Sequence, residues 1–287
     1  MLKKRIWIPA LALAVLLLVM LAGCHINIMG KIGGVTTVTY EKPETYAPGD
    51  ASYAGIPETL FVDWVSGPVL IAYDMNIDCV QIREKSDSSL PPEWRMQTRM
   101  EDGELNIEYS EPGNHTFGTL TKSLEILLPY GTQIGEIEVD SVAGGVNSSV
   151  TCTKISVKTI SGAVYIADSL NVYVDKTSGM TTISTDRLET LDYDSISGNL
   201  YVSCDTFGSI RIDKTSGDAD IKAAQTTGFT LHYSSLSRSF ESEFELQKKS
   251  RDTYVFGDGT AVIDIDSTSG GLRLTKSEGH TDKYGTD

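Results

Sequence analysis

Four stretches of the chain share one pattern: KISVKTISGAVYI (154–166), NVYVDKTSGMTTI (171–183), TLDYDSISGNLYV (190–202) and SIRIDKTSGDADI (209–221). In each stretch, apolar residues alternate with mostly polar ones before a Ser-Gly pair and again after it. A period of two residues is typical of a β-strand with one buried face, and it excludes an amphipathic helix. Each stretch therefore predicts two short strands that meet at a corner on the glycine.

The same pair, or Ala-Gly in one copy, recurs outside these stretches. Successive glycines in the middle of the chain are 17 to 19 residues apart. A unit of this length cannot bury its own apolar face, but a stack of units can. The repeat predicts an all-β body over residues 57–276, folded as a β-solenoid, with a β-sandwich as the alternative. The corner glycines are Gly67, Gly144, Gly162, Gly179, Gly198, Gly217 and Gly270.

The length of the body predicts its size. With neighbouring coils about 4.8 Å apart, some 220 residues would form about twelve coils. The stretches 72–133 and 222–256 are less regular, and they are expected to form either longer coils or antiparallel hairpins.

The residues before each glycine suggest how the corner is made. An aspartate stands four residues before most of the glycines, and a serine usually stands directly before them. Aspartate can bond a backbone amide two residues on, and glycine adopts the positive φ that a tight bend requires. Stacked aspartates could also bind calcium, which is the alternative. The predicted turn residues are Asp140, Gly144, Ser161, Gly162, Asp175, Ser178, Gly179, Asp194, Ser197, Gly198, Asp213, Ser216, Gly217, Asp266, Ser269 and Gly270.

The first residues are typical of a bacterial secretion signal. Basic residues 3–5 precede an apolar run over residues 6–21, and Leu21-Ala22-Gly23 stands directly before Cys24. This order resembles the lipobox of bacterial lipoproteins, whose cysteine receives a lipid and becomes the N-terminus after cleavage. An uncleaved membrane anchor is the alternative, since about 20 apolar residues span a bilayer. We expect a signal peptide at 1–23, a lipidated N-terminus and tether at 24–56, and a polar tail at 277–287.

Composition and charge limit the partners. The formal net charge is -15, so we expect neither nucleic acid nor an anionic lipid surface as a partner of the body. Three cysteines remain after Cys24, and an odd number cannot all pair within one chain. Cys79, Cys152 and Cys204 are therefore expected to be mainly buried thiols, with one disulfide left open.

These features together resemble a bacterial family of β-strand-repeat, adhesin-like proteins whose domain has no established function. The resemblance covers residues 58–275 and rests on LFVDW (60–64), LEILLP (124–129), YVFGDG (254–259), DSTSGG (266–271) and the series of Ser-Gly corners. It implies a non-enzymatic surface protein and brings no catalytic residues. Some members resemble accessory proteins of envelope-stress signalling, which gives a second interpretation.

The sequence offers no pattern for catalysis. Its four histidines are not paired at metal-ligand spacing, and Cys-x-x-Cys and Gly-x-Ser-x-Gly motifs are absent. We therefore predict no catalytic residue, metal or cofactor. A carbohydrate-active β-helix enzyme is the third interpretation, because acidic residues are plentiful.

Binding requires fewer groups than catalysis. Tyr165 and Tyr201 occupy the same outward column, two coils apart, and could stack on a polysaccharide or a protein. Tyrosine also suits exposed strand positions in general, which is the alternative explanation. The leading hypothesis is a lipid-anchored protein on the extracytoplasmic side of the cell membrane that binds or scaffolds through a sheet face. Self-association through exposed end coils is also expected.

Overall fold

The structure, a computed structural model, describes residues 35–117, 120–225, 227–237 and 239–277. Cys24, the predicted signal peptide, the first part of the tether and the tail after residue 277 lie outside these residues. The described residues form strands and two 3₁₀ helices, Pro43–Thr45 and Pro92–Trp94, without an α-helix. The all-β prediction is confirmed. The strands are β1 (Thr36–Val38), β2 (Ala47–Pro48), β3 (Ala51–Tyr53), β4 (Thr59–Ser66), β5 (Val69–Asp74), β6 (Val80–Ser86), β7 (Gln97–Glu101), β8 (Glu104–Glu108), β9 (Gly113–His115), β10 (Lys122–Pro129), β11 (Ile134–Ala143), β12 (Val146–Ser148), β13 (Cys152–Ser161), β14 (Val164–Ala167), β15 (Ser169–Ser178), β16 (Thr181–Ser195), β17 (Leu200–Lys214), β18 (Ala219–Ala224), β19 (Phe229–Ser235), β20 (Ser239–Ser242), β21 (Gln247–Lys248), β22 (Thr253–Phe256), β23 (Ala261–Ser267) and β24 (Gly271–Ser277).

The strands form two faces, which we call sheet A and sheet B, around one apolar core. In sheet A the order is β2, β7, β8, β4, β11, β13, β15, the second half of β16, the second half of β17, β23, β19, β22 and β21. In sheet B the order is β3, β6, β10, β5, β12, β14, the first half of β16, the first half of β17, β18, β24 and β20. β16 and β17 each run from sheet B into sheet A, so the two sheets are continuous along one side of the solenoid, and the turns from sheet A back to sheet B form a separate corner.

The parallel strands make up the coils of a β-solenoid, and each coil adds one strand to each sheet. The described residues contain nine such coils. The predicted solenoid is confirmed, whereas the predicted number of about twelve coils is wrong. Coils 1 to 9, in spatial order, are β8/β10, β4/β5, β11/β12, β13/β14, β15/β16, β16/β17, β17/β18, β23/β24 and β19/β20.

The missing coils are explained by the two irregular stretches. Antiparallel strands β7 and β6 pair with coil 1 at one end, and antiparallel β22 pairs with β19 of coil 9 at the other. At both ends the chain also leaves the stacking order, since coil 1 follows coil 2 in sequence and coil 9 precedes coil 8. Antiparallel end strands cover edges that would otherwise pair with another chain.

The antiparallel end strands next to coil 1 form what we call the coil 1 cap. The described part of the predicted tether belongs to this cap. β1 pairs with β9, β2 with β7 and β3 with β6. Tyr40 and Tyr53 also pack against the core. The structure therefore places residues 36–53 on the body, although they were predicted to be part of the tether.

The corner between the sheets is built on the predicted glycines. Gly67, Gly144 and Gly162 have φ of +103°, +138° and +134°, a conformation that other residues rarely adopt. A Cβ at each of the seven glycines would overlap a carbonyl oxygen of the coil before it, which belongs to the corner glycine of that coil in six cases and to Lys122 in the case of Gly67. The glycines thus stack directly, and the closeness of that stack is the physical reason for the repeat.

Inside the corner lies a column of mainly polar side chains, most of which donate hydrogen bonds to backbone carbonyls. The column runs in register through Trp64, Ser141, Thr159, Lys176, Ser195, Lys214 and Ser267. Lys176 Nζ donates to Gly162 O at 2.9 Å and Lys214 Nζ to Gly217 O at 2.6 Å. Ser195 Oγ donates to Ser197 O at 3.1 Å. Buried carbonyls at the bend would otherwise remain unpaired, which costs free energy.

The buried lysines predict a pH dependence of stability. Lys176 is 0% exposed, and burial lowers its pKa from 10.5 to about 8. Between pH 8 and 10.5 the unfolded chain holds this proton and the folded chain does not, so the lysine's contribution to stability rises with pH. The free energy of unfolding of Lys176→Met, taken relative to that of wild type, should therefore be about 1–3 kcal/mol higher at pH 7 than at pH 10. Urea unfolding at both pH values measures this difference.

The exposed amine of Lys222 provides the control. Lys222→Met should give the same difference from wild type at pH 7 and at pH 10, because this side chain lies on the surface. If the stability difference between wild type and Lys176→Met were also constant over this range, the assigned shift would be refuted.

Candidate binding faces of the solenoid

The outward side chains of the two sheets form surfaces of different chemistry, which we call outer face A and outer face B. Outer face A is rich in carboxylates, and outer face B carries aromatic and hydroxyl groups. The acidic residues of outer face A are Asp63, Glu104, Glu108, Glu136, Glu138, Asp140, Asp175, Asp192, Asp194, Asp213, Asp264 and Asp266, and its basic residues include Lys154, Lys158 and Arg211.

The aspartates that were predicted as turn residues lie on outer face A. Asp213 stands inside β17 between buried Ile212 and Lys214, so its carboxylate faces outward from the strand and not into the turn. Asp175, Asp194 and Asp213 are direct neighbours across adjacent coils. The interpretation of the aspartate column as turn residues is therefore corrected, while the serines and glycines of the motif do lie at the corner. Ser197 Oγ and Ser216 Oγ each bond a carbonyl of the previous coil, at 3.3 Å.

Basic side chains bridge the aspartate column. Arg211 contacts Asp192 at 2.5 Å, Asp194 at 3.6 Å and Asp213 at 3.7 Å. The pKa of Asp194 is raised from 3.8 to about 6. Burial is the main cause and the neighbouring aspartates add to it, whereas the nearby Arg211 acts in the opposite direction. The column is therefore an ion-pair network whose carboxylates repel one another when all are ionised.

Near coil 1 the carboxylates form a recess of about 250 Å³ lined by Phe61, Val62, Asp63, Asn106, Glu108, Glu138 and Asp140. Burial raises the pKa of Glu108 well above its usual range, and the adjacent Asp63 raises it further. The same burial raises the pKa of Asp63. Burial in this recess therefore disfavours the ionised form of both carboxyl groups. Among the described residues, no group of three or more His, Cys, Asp or Glu side chains is arranged to hold a metal ion.

Outer face B holds the two tyrosines that were predicted as a binding face. Tyr165 is 40% exposed and Tyr201 is 41% exposed. Thr182 lies between them, in register with both. The structure thus brings the two rings onto one column, with a threonine of the intermediate coil between them.

A second column lies beside the tyrosines and was not identified from the sequence. It runs in register through Ala167, Ser184, Ser203, Lys222 and Thr275. With Tyr165, Thr182 and Tyr201, several of these residues line a groove of about 370 Å³. A sequence signal for this column was available. The residue four positions after most corner glycines is apolar, and the residue one position later is often a small hydroxyl residue that faces outward.

The described cysteines do not form a disulfide: Cys79, Cys152 and Cys204 are free thiols. Cys152 Sγ lies 3.0 Å from Ser169 Oγ, and burial raises the pKa of Cys204 to about 12. Such thiols are poor nucleophiles. No helix among the described residues is long and apolar enough to cross a membrane.

The parallel coils, stacked in register, place the chain in the class of solenoid repeat proteins. Residues 133–275, which include coils 3 to 9 apart from the last two residues of β24, match the family described as Toastrack DUF4097. Residues 133–275 therefore form a Toastrack DUF4097 domain, and the predicted resemblance to a β-strand-repeat, adhesin-like family of unknown function is confirmed. No curated protein matches the chain.

Several solved structures are similar to the chain, and two of them are putative adhesion proteins. A putative cell adhesion protein from Clostridium sporogenes ATCC 15579 is 12% identical with a TM-score of 0.37, covering 80% of this chain and 100% of its own. A putative adhesin from Bacteroides fragilis NCTC 9343 is 14% identical with a TM-score of 0.37, covering 79% of this chain and 96% of its own. Both similarities are distant.

Proposed function

We propose that the protein is a lipid-anchored, extracytoplasmic binding protein of the adhesin or scaffold type, without catalytic activity. The observation that carries the proposal is the exposed groove of outer face B, in which Tyr165 and Tyr201 stand on a rigid ladder of parallel strands. Backbone hydrogen bonds between coils fix the spacing of these side chains. The surface is therefore preorganised, and little conformational entropy is lost when a ligand binds.

The sequence before the body supports the anchor. Cys24 follows Leu21-Ala22-Gly23, and the described body begins to pair at β1, residue 36. Residues 25–35 would then link the lipid to the cap of the solenoid. A segment of this length reaches about 35 Å when extended. The solenoid would therefore stay close to the membrane and could turn outer face B toward the envelope.

Replacement of the lipid-accepting cysteine tests the anchor. Wild-type protein should take up a clickable palmitate analogue in growing cells and sediment with the membranes. Cys24→Ala should lose the label completely and alter membrane retention, because it lacks the thiol that receives the lipid. In-gel fluorescence and fractionation of the same cells measure both quantities.

Cys79→Ala is the matched control, since Cys79 is a thiol of the body. This variant should be labelled and retained like wild type. Absence of label on the wild-type protein, or equal labelling of Cys24→Ala, would contradict the lipid anchor.

A further inference from the structure

Outer face B carries an open, elongated groove. A second recess, of about 260 Å³, is lined by Tyr201, Asp220, Glu241 and Arg273 among others. It shares Tyr201 and Asp220 with the recess of about 370 Å³ that contains Tyr165. The two recesses together extend from coil 4 to coil 9, which is about 24 Å along the axis. A groove of this length fits an extended chain better than a compact small molecule.

The aromatic side chains of the groove repeat with the coils. Tyr165 and Tyr201 are separated by two coil spacings, or about 9.6 Å. In an extended β-1,4-linked polysaccharide, successive sugar rings are flipped, so every second ring presents the same face. Aromatic rings stack on the apolar C–H face of a pyranose, and platforms at every second coil therefore match alternate sugars.

The floor between the platforms is suited to sugar hydroxyls. Thr182 stands between the tyrosines, and Ser184 and Ser203 lie in the adjacent column. Hydroxyl groups both donate and accept hydrogen bonds, as the hydroxyls of a sugar require. The groove thus combines apolar platforms with a hydroxyl-rich floor.

The charges favour a neutral chain. The recess at the coil 9 end of the groove is lined by Asp218, Asp220, Glu241 and Arg273, and Arg273 lies 3.8 Å from Asp220 and 3.7 Å from Glu241, so this end carries a net negative charge and disfavours an anionic polymer. Outer face A is also dominated by carboxylates and would repel an anionic polymer. A neutral ligand therefore meets no electrostatic penalty on outer face B.

We propose that outer face B binds a neutral β-1,4-linked polysaccharide that runs along the solenoid axis, with Tyr165 and Tyr201 stacking on alternate sugar rings. The proposal rests on the proposed function, because it names the ligand of the same exposed groove.

Calorimetric titration of the full-length protein tests the proposal. The protein is kept in a polyoxyethylene detergent, because detergents with sugar headgroups would compete. The probes are cellohexaose and chitohexaose, and maltohexaose serves as the α-linked control. We expect at least one β-linked hexaose to bind. Its Kd should rise about tenfold in Tyr165→Ala and in Tyr201→Ala, the effect of losing one stacked ring.

Two further variants separate stacking from folding. Tyr201→Phe keeps the ring and should bind within about threefold of wild type, since stacking does not use the hydroxyl. Tyr173→Ala removes a tyrosine of outer face A that is 37% exposed, and it should leave Kd unchanged. Circular dichroism confirms that each variant is folded.

The proposal is overturned if folded wild-type protein binds neither β-linked hexaose, if maltohexaose binds equally well, or if Tyr173→Ala weakens binding as much as Tyr201→Ala. These outcomes are distinct from a failure of the proposed function. Normal labelling and retention through Cys24 without hexaose binding would overturn only the ligand assignment, whereas unlabelled protein that binds a hexaose would overturn only the anchor.

Discussion

Gly198→Ala is expected to lower the free energy of unfolding by about 3–5 kcal/mol. Gly198 has a φ of +130°, where an alanine is strained, and the new methyl group would overlap the carbonyl oxygen of Gly179 on the previous coil. The neighbour is backbone and cannot rotate away, so adjacent coils must separate. Urea unfolding followed by circular dichroism measures the loss.

Two other glycines divide this effect into its parts. Gly131 has a φ of +80°, and no atom lies within 4 Å of the place that an alanine methyl group would occupy, so Gly131→Ala should cost only the strain of about 1–2 kcal/mol. At Gly208 the positive φ is absent, but a Cβ would lie 2.7 Å from the carbonyl oxygen of Glu189. Gly208→Ala therefore reports mainly the close approach of two coils. A loss in Gly198→Ala no larger than that in Gly131→Ala would show that the stacked corner does not hold the coils together.

The corner itself could be predicted from the sequence, because glycine leaves a local signal. Alternation on both sides of Gly162, Gly179, Gly198 and Gly217 fixes which residues face inward, and these positions are buried as expected. The order of the coils leaves no such signal. Coil 8 (residues 261–277) lies between coil 7 and the earlier coil 9, and the same inward apolar pattern would fit either order. Long-range pairing decides between them, and one sequence does not encode it locally.

The candidate site shows the same division. Tyr165 and Tyr201 could be placed on one outward column, because their distance from the corner glycine is equal. The aspartates could not be interpreted correctly in the same way. A residue four positions before the glycine can either bond the turn that follows it or face outward from a strand that continues beyond that residue. In β17 the strand does continue beyond Asp213, to Lys214. Strand length depends on pairing with the neighbouring coil, so the sequence motif alone did not determine the direction of the carboxylate.

The second large effect is expected at the buried ion pair that closes coil 1. Lys122 Nζ donates to Glu84 Oε2 at 3.0 Å, to Trp94 O at 2.7 Å and to Tyr109 O. The Lys122 side chain is 0% exposed and that of Glu84 is 7% exposed. The pKa of Lys122 is lowered from 10.5 to about 8, because burial lowers it by more than the neighbouring Glu84 raises it. The amine is therefore still mostly charged at pH 7.

Lys122→Met should lower the free energy of unfolding at pH 7 by about 3–5 kcal/mol. The methionine fills the space but leaves the Glu84 carboxylate buried without its cation. It also removes the amine 4.0 Å from the centre of the Tyr109 ring. Lys85→Met is the matched control, because Lys85 is 61% exposed and pairs with Glu125 on the surface, where such pairs contribute about 0–1 kcal/mol.

A double-mutant cycle identifies the source of the loss. Glu84→Gln in the Lys122→Met background removes the unpaired charge, and it should recover about 1–3 kcal/mol if that charge is responsible. Recovery is limited because Trp94 O and Tyr109 O still lack a donor. The carbonyl oxygen of Lys122 is also where the glycine stack ends, since it faces Gly67 and accepts a hydrogen bond from Trp64 Nε1 at 3.0 Å. Equal losses in Lys122→Met and Lys85→Met would mean that the cap at coil 1 does not depend on this pair.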